Sequence, residues 1–167
     1  MQVFYAFPGS FAKTIAILDD KRLIKQILEC HTMLSGKWKN HPASLSWGVY
    51  ELESYGTMAC AEYERRFSKH HVYETEFKLN KAHTSRSGVD IMIVSHRINL
   101  LRKDYTYYNR FFKCRNFALS DFPLGYYWPV RVQGGKADSD SKQWEQFCAR
   151  LCGNTTVSLV NYLTITM

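Results

Sequence analysis

The sequence predicts an all-α fold, a compact single-domain helical protein with long irregular loops and a short extended N-terminal arm. Three observations predict it. Apolar residues recur at helical spacing in several long runs, turn-forming residues separate those runs, and the composition supplies one core. The chain has 167 residues, 46% of them hydrophobic and 15% aromatic, enough for one substantial core and too apolar for global disorder.

Residues 1–8 begin with the alternating Val3-Phe4-Tyr5 and stop at Pro8-Gly9, which reads as the extended arm. A helical stretch follows from about Ser10 to Leu34, with a break at Leu18-Asp19 and Asp19 or Asp20 as N-cap of its second half. Ser35-Gly36 ends it, and Lys37 to Pro42 forms a polar turn. The next helix is predicted from about Ser44 to Arg66. Gly48 and Gly56 lie inside it, at a cost that a close helix–helix contact would explain. Residues 68–88 read as a loop. A third long helix spans about Val89 to Lys103, with Ile91, Val94, Ile98 and Leu101 on one side. Tyr105 to Arg115 reads as a further short helix, and Tyr126 to Pro129 as extended. Residues 133–141 have linker composition, a last helix runs from about Ser141 to Cys152, and a β-branched tail closes the chain. This places a helical domain at 1–132 and a C-terminal extension at 133–167, packed on it as a single domain.

The formal net charge is +7, and most of it sits in one window. From His96 to Asn116, Arg97, Arg102, Lys103, Arg110, Lys113 and Arg115 face only Asp104, interleaved with Tyr105, Tyr107, Tyr108, Phe111 and Phe112. Basic side chains neutralise phosphates and aromatic faces stack on unpaired bases, so a polyanion, DNA first, is the expected partner. An amphipathic helix with an ordinary solvated face would read the same way. The five cysteines are an odd number without paired CxxC spacing, no secretory leader is visible, and no run approaches the roughly 18 apolar residues of a membrane span. Reduced thiols in a cytosol and no membrane partner are therefore expected. Cys148 and Cys152 would share a helix face, but buried thiols without a metal suit them better. No metal or cofactor is expected.

The most informative segment is Leu18 to Glu29. At about 100° per residue Arg22, Gln26 and Glu29 fall on one stripe with Lys25 beside it, while Leu23, Ile24, Ile27, Leu28, Cys30 and Leu34 take the opposite, core-facing arc. A carboxylate closing a cationic ridge repels a phosphate backbone unless it acts on something beside it. An ordinary Lys25–Glu29 helix pair is the plainer explanation. Trp38-Lys39-Asn40-His41-Pro42 follows, where Asn40 and His41 would meet phosphate or a base edge, or simply make a turn. On the third helix His96, Asn99 and Lys103 share a stripe flanked by Arg97 and Arg102.

Leu18-Asp19-Asp20-Lys21-Arg22-Leu23, Lys25-Gln26 and Glu29 resemble the pyrimidine-dimer DNA glycosylase (endonuclease V, DNA-lyase) superfamily, nearest to its small uncharacterised phage and bacterial branch. The same order continues through Asn40-His41-Pro42-Ala43, Trp47, Tyr55-Gly56, Ser95-His96-Arg97, Leu100 to Asp104, Tyr108 and Tyr127-Trp128-Pro129, over about residues 1–130. The resemblance implies an all-α domain that bends double-stranded DNA, flips a nucleotide and excises a modified or damaged base, with or without lyase activity, in a bacterial or phage-infected host cytosol. It implies Glu29 as the catalytic carboxylate. Arg22, Lys25, Gln26, Asn40, His41, His96, Arg97, Arg102 and Lys103 are the DNA-binding set. In the characterised enzymes an N-terminal amine on a small residue, exposed by removal of the initiator, attacks the sugar. Here residue 2 is Gln2, whose bulk opposes that removal, so the nucleophile is Met1, Lys25 or water, or the lyase chemistry is lost. The alternatives are a non-catalytic DNA-binding phage regulator or host-defence antagonist on the same scaffold, or a nucleotide- or nucleoside-modifying enzyme. The oligomeric state is not legible.

Overall fold

The structure is a computed structural model that describes residues 2–77, 90–114, 117–130, 135–152 and 163–165. Its described residues are mainly helical, in agreement with the predicted class. The chain divides into two units, residues 1–87 and 88–167. Among the described residues no helix is long and apolar enough to cross a membrane.

The first unit starts with the arm, whose residues Gln2 to Phe7 are all buried. Helix α1 (Phe11–Ala16) is capped by the Ser10 hydroxyl, which accepts from the Lys13 amide at 3.1 Å. The break falls where predicted, and α2 (Asp20–Leu34) starts on Asp19, whose carboxylate accepts from the Arg22 amide. Gly36 follows at φ +73°, a left-handed turn that suits glycine, and stops α2. Arg66 reinforces the break from a distance: its guanidinium donates to the Leu18 and Ala16 carbonyls at 2.6 and 3.0 Å and pairs with Asp20 and Glu62.

The predicted helix from Ser44 to Arg66 is in fact two. A short α3 (Pro42–Leu45) precedes α4 (Val49–Phe67), and Gly48 is the N-cap of α4 rather than an interior residue, its amide donating to the Glu51 carboxylate at 2.9 Å. Gly56 is interior, but the close approach it permits is to an aromatic ring of the following loop. A Cβ there would lie 2.4 Å from the Phe77 ring. Helix α4 lies against α2 and α1, around an aromatic cluster in which the Phe11, Trp47 and Tyr55 ring centroids are 5.5–5.8 Å apart. Leu23 and Ile27 are buried as expected, and so is Leu52 of α4, while Leu34 is only partly so.

In the second unit α5 spans Asp90–Lys103 and is buried nearly all round, from Met92 to Leu101. The predicted helix from Tyr105 to Arg115 ends early: α6 covers only Tyr105–Tyr108, and strand β1 (Phe112–Cys114) pairs antiparallel with β2 (Leu163–Ile165), Phe112 opposite Ile165. The predicted linker is also corrected. Helix α7 runs from Gly135 to Cys152, so residues 135–141 are helical. Their polar composition is a solvated face held by i,i+4 pairs, Lys136 with Asp140 at 3.0 Å and Lys142 with Asp138 at 2.7 Å. The buried end of that stretch, Ser141, accepts from the Trp128 amide at 3.0 Å. Most of the β-branched tail, the Cys114 and Cys152 side chains and residues 78–89 of the predicted loop lie outside the described residues. Cys30, Cys60 and Cys148 are buried thiols outside any disulfide. Burial pushes the Cys60 thiol up to about 12, with Glu74 adding to it, and raises Cys30 well above the usual thiol range.

Candidate active site

The arm is held to the helices by side chains that take the place of a neighbouring strand. Thr14 of α1 accepts from the Ala6 and Phe7 amides at 3.0 and 3.1 Å. Gln26 of α2 does more: its carboxamide oxygen accepts from the Phe4 amide at 2.6 Å and its nitrogen donates to the Gln2 carbonyl at 3.0 Å. A primary amide offers the same donor and acceptor as a peptide group, so one side chain satisfies two buried backbone groups. The stripe read from the sequence is thereby corrected in part. Gln26 and Glu29 are buried together with Leu23, Ile27 and Cys30, whereas Ile24, assigned to the core arc, is half exposed.

Glu29 lies one helical turn beyond Gln26 and so on the face where residue 2 is fixed. Its carboxylate is nearly covered, and Lys25 Nζ lies 3.4 Å from Oε1 while remaining largely exposed. Arg22 is half-buried and pairs with Asp19 at 3.4 Å. His41 approaches from the next element. It caps α3, with Nδ1 accepting from the Ala43 amide at 3.1 Å. That bond needs a bare Nδ1, so the neutral ring carries its proton on Nε2. Burial lowers the pKa of His41, the positive charge of the amino terminus lowers it further, and the Glu29 carboxylate opposes both. Glu29 and His41 therefore act on one another electrostatically. Asn40 is exposed on the adjoining turn. Met1 lies outside the described residues.

The remaining predicted residues belong to the second unit, and their placement differs from the expected cationic face. His96 and Arg97 are fully buried, the Arg97 guanidinium 5.4 Å from the Phe112 ring centroid, with burial lowering its pKa to about 10. An interior guanidinium is not available to a phosphate. Arg102 donates to the Pro123, Leu119 and Phe122 carbonyls at 2.7, 2.8 and 2.8 Å. Asn99 donates to the Gly125 carbonyl, and the Ser95 hydroxyl accepts from the Tyr127 amide. The operative stripe of α5 is therefore Ser95, Asn99 and Arg102, and it fastens the segment from Leu119 to Tyr127. Lys103 is exposed.

The sequence reading missed a group of imidazoles at the end of this unit's neighbour in the chain, the loop after α4. His31 Nδ1 lies 2.7 Å from Glu76 and its ring stacks on Tyr73 at 4.0 Å. His70 faces Glu74 at 2.8 Å and Glu64 at 3.6 Å through its two different ring nitrogens. A single metal uses one nitrogen of an imidazole, so two carboxylates at opposite nitrogens describe a bridging imidazole rather than a metal set. Sequence separation hid the contact of His31 with Glu76.

Residues 1–75 match the family model described as pyrimidine dimer DNA glycosylase. No curated protein matches the chain, and no solved structure matches it. The match supports the superfamily resemblance and, in general terms, a DNA glycosylase-like function. It takes in the arm, α1 to α4, Gln26, Glu29 and His41, and stops short of the α5 residues that the sequence reading also assigned to the resemblance.

Proposed function

We propose, from the family match over residues 1–75 and the buried Glu29, that the chain is a DNA glycosylase that excises a modified or damaged base flipped out of double-stranded DNA. The observation that carries this reading is Glu29 itself. A nearly covered carboxylate, with one lysine beside it and the N-terminal arm fixed one turn away, suits stabilising a positive sugar. The C1′–N bond breaks, the base leaves with the bonding electrons and takes up a proton, and a nucleophile bonds to C1′. Water gives an abasic sugar that stays in the strand, its proton passing to a base. An amine, from Met1 or Lys25, bonds to C1′ and loses a proton; the C1′–O4′ bond then breaks, O4′ taking up a proton, to leave an imine, after which loss of a proton from C2′ expels the 3′ phosphate. A lysine does this only when deprotonated, and Lys25 is largely exposed beside a carboxylate. His41, neutral with a proton on Nε2, donates to the departing base or to a phosphate oxygen.

The test is incubation of the full chain with lesion-bearing and phage-modified duplexes, reading free base and strand cleavage, with borohydride trapping to separate the amine routes from water. Glu29→Gln keeps the shape but removes charge and proton capacity. Turnover should fall by at least the 10²-fold typical of a positioned acid–base group, with DNA binding intact or tighter. Base release by the variant at the wild-type rate would refute the assignment of Glu29. Absence of base release from every duplex would refute the glycosylase.

A further inference from the structure

We propose that Trp38 is a stacking platform for an unpaired base next to the opened nucleotide, with Lys37 and Lys39 on the flanking phosphates; this deepens the DNA reading above and rests on it. The turn from Gly36 to His41 closes its own backbone. The Lys39 amide donates to the Gly36 carbonyl at 3.3 Å and the His41 amide to the Trp38 carbonyl at 2.8 Å. The side chains are left to point outward, and Lys37, Trp38, Lys39 and Asn40 are all exposed. Trp38 is 54% exposed, whereas Trp47, Trp128 and Trp144 are 6%, 8% and 0% exposed. The chain has four tryptophans, so the one in water is the one between two lysines.

A single exposed apolar residue means little by itself. Three further observations give this one a partner. Residues 36–50 contain no acidic side chain, so the turn itself carries cationic and neutral groups alone. Tyr50, in the same sequence stretch, is a further exposed aromatic. The Trp38 ring meets the His41 ring edge to face at 6.1 Å, so one face of the indole is ordered by the cap of α3 while the ring stays open to solvent. Protein-binding patches deplete lysine around their aromatic anchors, whereas grooves for unpaired nucleotides combine an aromatic face with cations that follow the backbone. Flipping a nucleotide leaves its neighbour without a stacking partner, and an indole supplies one.

Because Trp38 alone is exposed, acrylamide quenching of tryptophan emission reads it selectively. The full chain is titrated with a duplex carrying one unpaired base and with a fully paired duplex of the same length. The expected result is strong quenching of the emission, and loss of acrylamide access, with the first and less with the second. Trp38→Ala should weaken binding to the unpaired-base duplex about 5- to 150-fold, and Trp38→Phe should keep most of the affinity. The salt slope should be unchanged in both, while Lys37→Ala and Lys39→Ala each lower it by about one unit. Unaltered emission on binding, or wild-type affinity in Trp38→Ala, overturns the inference while leaving the DNA reading in place. If no duplex binds even at low salt, the DNA reading falls first and this one with it.

Discussion

Replacing Gln26 by leucine removes both polar ends of the side chain at similar volume, one atom shorter. In the native protein that carboxamide accepts from the Phe4 amide and donates to the Gln2 carbonyl, 22 and 24 residues away, and both bonds are buried. Leucine leaves two backbone groups without these partners, at about 1–3 kcal/mol each, so the expected loss is about 2–6 kcal/mol. That is a large share of the roughly 5–15 kcal/mol by which a domain is stable. With a slope of about 1.5 kcal/mol per molar urea, even a 3 kcal/mol loss moves the midpoint by about 2 M. Gln26→Glu is the graded control, since it keeps the acceptor for Phe4 but cannot donate to Gln2. Urea unfolding followed by far-ultraviolet circular dichroism gives the stability, and hydrogen exchange at the Phe4 amide localises it. The Phe4 amide should lose protection in the leucine variant and keep more of it in the glutamate variant. Turnover should fall further than DNA affinity, because the arm beside Glu29 is what comes loose. A leucine variant within about 0.5 kcal/mol of wild type, with Phe4 still protected, would refute the role given to Gln26.

Two further outcomes follow from the placement of polar groups. Arg102→Ala should cost about 3 kcal/mol or more, since three carbonyls lose a charged donor, and should leave the salt slope of DNA binding unchanged; normal thermal stability with a reduced slope would instead put Arg102 on a phosphate. His41 and His71 both have pKa values lowered by burial from 6.5, so the unfolded chain binds more protons than the native one just below that pH. The stability they contribute is present above about 6.5 and drains as the pH falls towards the lowered native values. Urea midpoints at pH 7.5 and 5 should differ more in wild type than in the His41→Asn, His71→Gln double variant, and equal differences would remove these two rings as the cause.

Local features of this fold were legible because their causes are local. Asp19 reads as an N-cap from its place before an apolar run, and it caps the Arg22 amide. Gly36 reads as a stop, and it adopts the left-handed turn. The failures share a different cause. Gly48 was read as interior because period alone does not distinguish one helix from two with a capped joint, and its amide is satisfied by Glu51. Residues 135–141 looked like a linker because a solvated helical face held by lysine–aspartate pairs has linker composition. Gln26, Asn99 and Arg102 were misjudged as outward-facing, since polar type normally predicts exposure. Each is instead buried or half-buried against backbone groups distant in sequence, and no periodicity reports a partner more than 20 residues away. Within the candidate site, Glu29 was legible as a carboxylate out of place on a cationic ridge. Its burial was not, because a carboxylate on a cationic ridge is expected in solvent.

The same distinction bears on the net charge. A basic window is evidence for an anionic partner only to the extent that its cations reach solvent, because a guanidinium bonded to carbonyls screens no phosphate. In the window from His96 to Asn116, Arg97 is interior and Arg102 holds a loop, while Lys103, Arg110 and Lys113 reach solvent, Arg110 over the Tyr107 ring at 4.4 Å. In the first unit Lys21, Lys25, Lys37 and Lys39 are exposed, and Lys25 is the one that pairs with Glu29. Solvent-facing positive charge thus also occurs on the elements that carry Glu29, His41 and Trp38, where composition by itself drew attention elsewhere. A phosphate backbone attracted to Lys37 and Lys39 would be brought to the turn next to His41. The carboxylate would then be required to repel it weakly or to act on the sugar beside it. Pairing with Lys25 meets the first condition, since an ammonium 3.4 Å from the carboxylate offsets much of its field toward an arriving strand. Under the proposed function the group that reaches Glu29 is a nucleotide taken out of the stack, the step for which an exposed indole at the neighbouring turn is suited.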